Sequence, residues 1–140
     1  MPFKKGVIEK RMEKVKGIFF LVVGLLLLGV AIITTVSTAR FVRGSVAADG
    51  RVVKLNAGGS HPEIAFVTRD GTAISYPQGG WIGGYAVGDK VRVLYDEANP
   101  KISRSLDRFG ALYFFPIFLC LLGGFFTLFG VIAVLTNRKG

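Results

Sequence analysis

Two long runs without a single charged side chain bound what this chain can fold into. Residues 17–39 read GIFFLVVGLLLLGVAIITTVSTA, and residues 109–136 read FGALYFFPIFLCLLGGFFTLFGVIAVLT. Each is apolar on every face, whereas a helix lying on a soluble core shows a polar stripe. About 20 such residues suffice to cross a bilayer core. Isolated glycines (Gly24, Gly29, Gly123, Gly124, Gly130) are ordinary in such helices. Pro116 marks a kink or the first turn of the second. Tyr113 suits a membrane boundary. The basic start and the small residues Ser37-Thr38-Ala39 resemble a signal peptide with its cleavage site. The apolar run is longer than a signal core, so an uncleaved helix is expected.

Charge gives the runs an orientation. The net charge is +9, and it is densest at the N-terminus. Residues 1–16 hold six basic side chains, Lys4, Lys5, Lys10, Arg11, Lys14 and Lys16, against Glu9 and Glu13. Residues 40–108 hold ten basic and seven acidic side chains, and Arg138 and Lys139 follow the second run. Basic flanks stay in the cytoplasm. The expectation is a multi-pass protein of the inner (plasma) membrane. Both termini are cytoplasmic, and Lys10, Arg11, Lys14, Lys16, Arg138 and Lys139 anchor them at the lipid headgroups. The boundaries read as a basic tail 1–16, spans 17–39 and 109–136, an extracytoplasmic β domain 40–108 and a short tail 137–140. Basic charge placed beside an apolar run points to lipid, and nucleic acid is not an expected partner. Within the first tail Ile8, Met12, Val15 and Phe19 recur at helical spacing, which extends the first helix or makes a docking helix.

Between the runs the helical period gives way to β signals. Residues 61–69 (HPEIAFVTR) read as a strand after the Gly58-Gly59-Ser60 turn. Asp70-Gly71 marks a hairpin, and Thr72 to Tyr76 returns until Pro77 ends the strand. Lys90 to Tyr95 alternates with one face buried. Ser45 to Leu55 is a long strand that Asp49-Gly50 bulges or divides. The sum is four or five short antiparallel strands. The fold class is therefore membrane α+β: two transmembrane helices flanking a small antiparallel sheet that curls toward a barrel.

The stretch VGDKVRVLYDEANP, residues 87–100, resembles the bacterial membrane proteins grouped as domain of unknown function 3592. Their pattern is a VGD-x-V-x-VLYDP-x-NP run after a hairpin, followed by a closing membrane helix. The upstream HPEIAFVTRDGTAISY is similar to that family's hairpin, while Glu97 stands where the family has proline. The resemblance covers roughly residues 45–130 and implies two helices around a β domain. It implies no chemistry. Turn formation accounts for the run on its own: Asp96 bonds backbone amides two residues on, and Asn99-Pro100 ends the strand.

Candidate chemistry is sparse. Cys120 is the only cysteine and reads as a small hydrophobe, which excludes an intrachain disulfide or a Cys-based metal site. His61 alone makes no metal set. Asp89, Asp96 and Glu97 fall in turns, and Ser103 and Ser105 have no partner arrangement. No catalytic residue, cofactor or metal site is expected. Gly79-Gly80-Trp81-Ile82-Gly83-Gly84 stands out, because glycines loosen a loop around an apolar pair. Trp81 either caps the sheet or, with Ile82, contacts a partner or headgroups. Neither run shows a standard GxxxG pair, and Gly123 with Thr127 is a weak small pair. The absence of ionisable residues in the runs argues against a proton path.

The leading functional reading is a non-enzymatic interaction or accessory protein. It presents its β domain to a membrane or envelope protein partner by an exposed edge or apolar loop, as an immunity or assembly factor would. The alternatives are a lipid- or small-ligand-binding sensor of the cell envelope and a homo-oligomeric channel lined by Thr34, Thr35, Ser37 or Thr127. Membrane lipids are partners in each case.

Overall fold

The computed structural model describes residues 2–138, with side chains from residue 4. Lys139, placed by its charge among the lipid anchors, lies outside the described residues. Helix α1 spans Pro2–Gly44 and helix α2 spans Phe109–Thr136. Five strands lie between them: β1 Val46–Asn56, β2 His61–Val67, β3 Ala73–Pro77, β4 Lys90–Tyr95 and β5 Arg104–Leu106. The chain divides into two compact units. One holds the helices up to Thr34 and from Pro116 onward, and the other is Thr35–Phe115.

In the helical unit the basic tail is helix, continuous with the apolar run, and Lys10, Arg11, Lys14 and Lys16 all lie on α1. Nothing between residues 16 and 44 breaks the helical ladder. It therefore runs five residues beyond the expected end at residue 39 and closes where the Ser45 amide donates to the Phe41 carbonyl at 2.8 Å. The two helices run antiparallel on a seven-residue repeat of small residues. Gly17, Gly24 and Ala31 on α1, and Pro116, Gly123 and Gly130 on α2, are all buried. A Cβ at Gly123 would sit 2.9 Å from the Leu28 nitrogen, one at Gly130 2.5 Å from the Leu21 nitrogen, and one at Gly24 would run into the Thr127 backbone. Missing side chains thus let two backbones touch, which is how helices associate where water gives no drive. Phe20 closes the seam, with its ring centre 5.5 Å from Phe126 and 5.1 Å from Phe129. Both helices are long and apolar enough to cross a membrane, with mean hydropathy 2.8 and 2.6 over an 18-residue stretch of each.

The second unit is an antiparallel sheet of order β3-β2-β1-β4-β5. One face carries the core, Val52, Ile64, Phe66, Ile74, Tyr76, Val93, Tyr95 and Leu106, with Ile82, Tyr85 and Ala111 against it. The alternation expected of β2 and β3 is present; β4 has the expected bounds, but Leu94 is buried along with Val93 and Tyr95. The hairpin at Asp70-Gly71 is a five-residue loop rather than a two-residue turn, closed by Thr68 N–H to the Thr72 carbonyl at 2.9 Å. The irregularity of β1 falls between Val52 and Lys54, not at Asp49-Gly50. Gly50 serves close packing instead: a Cβ there would lie 2.9 Å from Val93 Cγ2 and 3.0 Å from the Ala65 carbonyl oxygen.

The sheet curls but stays open, with β3 and β5 as its edges. A buried clasp ties these edges together. Gln78, just past β3, accepts the Leu106 amide at 2.7 Å and the Tyr76 hydroxyl at 3.0 Å through Oε1. Its Nε2 donates to the Gly79 carbonyl at 3.0 Å and to Ser105 Oγ at 3.4 Å. The Arg104 guanidinium lies 4.8 Å from the Tyr76 ring centre, a second link between the same edges.

Candidate functional site

The residues singled out for chemistry are mostly engaged in shaping turns. The Asp89 carboxylate accepts the Ala86 amide at 2.8 Å, and Asp96 accepts the Ala98 amide at 3.0 Å, two residues on. Glu97 pairs with Arg69 at 3.0 Å in solvent, and Ser105 Oγ donates to the Leu106 carbonyl. His61 Nδ1 lies 3.1 Å from the Gln78 carbonyl oxygen. Among the described residues no three of His, Cys, Asp and Glu gather as a metal site would need. The Asp70 carboxyl is held below its ordinary value, first by the Thr68 hydroxyl and then by Thr72. The Tyr76 phenol is pushed well above its ordinary value by burial.

The glycine-flanked pair divides. Trp81 is 77% exposed, whereas Ile82 packs on the core. Trp81 does not cap the sheet. Its amide donates to the Gly110 carbonyl at 3.1 Å, and its ring lies 5.8 Å from that of Phe114. Gly80 and Gly110 permit this approach, because a Cβ on Gly110 would meet the Trp81 carbonyl oxygen. On α1, Lys16 bonds Glu13 at 3.1 Å in solvent. Arg138 follows the end of α2.

Strand register assembles a surface that no local motif announces. On the face opposite the core, Lys90, Arg51, Ala65 and Ser75 align in one row across β4, β1, β2 and β3. Farther along the same face Arg92 lies opposite Asp49, and Val67 opposite Ala73. Arg92 faces Asp49 and bonds Asp107 at 3.0 Å. Arg51 directly faces Lys90, and neither is in an ion pair among the described residues. Like charges opposed on one sheet face are unfavourable in the isolated protein. They crown a shallow concavity of about 710 Å³ floored by Val53, Ala65, Val67 and Ala73. At its margin, the bonded pairs Thr68/Thr72 and Pro62/Gln78 bracket the β2–β3 ladder. By alternation, Ala73 and Ser75 therefore turn their N–H and C=O groups away from β2 toward the unpaired edge.

Residues 35–115 are thus a small α+β module in which Asp70, Asp89 and Asp96 shape turns and whose sheet leaves one face and one edge open to contact. No family model and no solved structure matches the chain. It is 48% identical over 113 residues to immune protein Tsi4 of Pseudomonas aeruginosa, an alignment covering 81% of this chain and 76% of that protein. The chain belongs to the family of that immune protein.

Proposed function

We propose that this chain is an immunity protein: a non-catalytic binding protein, anchored in the plasma membrane, that protects its bacterium by engaging a toxin through the β module. The observation that carries the reading is its 48% identity, over 81% of its length, to a protein named for an immune role. The toxin is the protein partner such a role requires.

The open face supplies the docking surface. Arg51 and Lys90 oppose each other and form no ion pair among the described residues, so a carboxylate-bearing patch on the toxin relieves their repulsion and gains two charge-assisted bonds. Complementary charge also speeds encounter. The Ala73 and Ser75 edge can take an added strand.

Anchoring rests on the helices. The 28 residues of α2 span about 42 Å at 1.5 Å each, more than a bilayer core of about 30 Å. Lys10, Arg11, Lys14 and Lys16 would hold the N-terminal part of α1 on the cytoplasmic side, with residues 40–108 outside.

Deleting the gene and growing the mutant against its parent in dense co-culture tests the reading. Loss of the mutant, reversed by a plasmid copy, is expected. Equal survival of mutant and parent under conditions where the toxin is made would refute it.

A further inference from the structure

A second concavity, of about 610 Å³, lies wholly within the Thr35–Phe115 unit. Its walls pair two chemistries. Ser37, Thr38 and Ser103 bring hydroxyls, and Arg104 brings a cation. Phe41, Phe114 and Ile102 bring apolar surface, and Ile102 is 83% exposed.

Arg104 is the residue that asks for a ligand. It makes no ion pair with any described residue. Its Nε is buried without a hydrogen-bond partner. The Tyr76 ring centre lies 4.8 Å from the guanidinium carbon, a cation–π contact that leaves Nε without a hydrogen-bond acceptor. A buried donor left unmatched is unfavourable, and more so when charged. A guanidinium fork matches the two oxygens of a phosphate.

Sequence position says where such a phosphate comes from. Residues 37–39 end the first apolar run, Phe41 lies just past it, and residues 111–115 lie at the start of the second. If those runs cross a bilayer, these residues lie at headgroup depth. Arg40 and Arg43 follow the first run and Arg108 precedes the second, and none is ion-paired among the described residues. The apolar wall then faces glycerol and the first acyl methylenes. We propose that this concavity binds the phosphodiester of an anionic phospholipid, gripped by Arg104 with the flanking hydroxyls. The proposal rests on the membrane-anchored reading above and is independent of the toxin.

The test uses the full chain, purified in mild detergent, stripped of lipid and titrated with short-chain phosphatidylglycerol. Binding is read by native mass spectrometry and by the fluorescence of Trp81, whose ring neighbour Phe114 lines the concavity. Saturable binding of one lipid, weakened at least tenfold by Arg104→Gln, is expected. Ser37→Phe fills the concavity from the α1 side without touching the Arg104–Tyr76 contact. It should weaken binding as much while leaving the thermal midpoint unchanged, so a misfolded Arg104→Gln variant does not shield the proposal. Inorganic phosphate that binds as tightly as the lipid would overturn the lipid assignment in favour of a free anion. An acidic peptide that displaces the lipid and binds tighter would overturn it in favour of a protein ligand. Lipid binding indifferent to both substitutions would overturn the site itself. A chain that leaves the membrane fraction without detergent fails the anchoring reading; one that needs detergent yet ignores Arg104→Gln fails only the lipid site.

Discussion

Replacing Gln78 by methionine tests the clasp that holds the two sheet edges together. The side chain is 5% exposed and the substitution keeps its length and roughly its volume. What changes is hydrogen bonding. Oε1 accepts from the Leu106 amide at 2.7 Å and from the Tyr76 hydroxyl at 3.0 Å, and a thioether replaces neither bond. Two buried donors then go unmatched, at about 1–3 kcal/mol each, for a loss of about 2–6 kcal/mol. Ser105 can turn its hydroxyl wholly to the Leu106 carbonyl, which it already meets at 3.2 Å, so it adds little. For a module of this size 1 kcal/mol moves the thermal midpoint by about 4–8 °C, so a fall of at least about 8 °C is expected. The assay is thermal unfolding of the full chain in detergent, followed by strand circular dichroism. A midpoint within about 3 °C of the parent would refute the claim that Gln78 closes the sheet.

Other substitutions separate packing from function. Lys90→Glu places opposite charges across β1 and β4, where Arg51 and Lys90 now face each other; stability should rise by about 0.2–1 kcal/mol while protection in co-culture falls at least tenfold. Protection retained with that charge reversed would count against the basic face as the docking surface. Gly24→Leu drives a side chain into the Thr127 backbone and should weaken helix pairing by about 1–3 kcal/mol, seen as a lower helical melting midpoint in detergent; an unchanged midpoint would mean that the glycine seam is not close-packed. The Asp70 carboxyl should titrate below 3.8 in an NMR pH series. Because the folded value is the lower one, its stabilising effect is complete above that pH and fades as pH falls through the folded value. Thr68→Val removes the leading hydrogen bond and should return the titration toward the ordinary range.

Much of the architecture is legible in local pattern. Hydropathy alone delimits α2, and period-two alternation delimits β4, because each signal is repeated along its element. The Asx turn at Asp96 follows from its side chain and needs no tertiary information. Strand β5 has no such signal. Arg104–Leu106 is three residues long and is a strand only because Val93, Leu94 and Tyr95 pair with it. Pro77 correctly ends β3, yet nothing local says that Gln78 will turn inward to meet Leu106, 28 positions away. The helix seam is legible on α2, where Gly123, Thr127 and Gly130 mark the stripe that packs on α1; its counterpart on α1 follows the seven-residue spacing of Gly17, Gly24 and Ala31. The basic pair on the sheet is the least legible feature. Arg51 and Lys90 are 39 residues apart and meet only through the β1–β4 register, and a charge count treats them as two solvated side chains.

The central claim is that protection works by stoichiometric binding. Co-culture identifies the toxin as the product whose loss in the parent lets the deletion mutant survive. The decisive measurement is then size-exclusion chromatography with light scattering on the purified full chain in detergent mixed with that toxin. A stable complex of fixed stoichiometry that dissociates when Lys90→Glu is introduced is the expected result. Protection by a chain that forms no complex, or that disarms excess toxin when present in trace amount, would contradict the account.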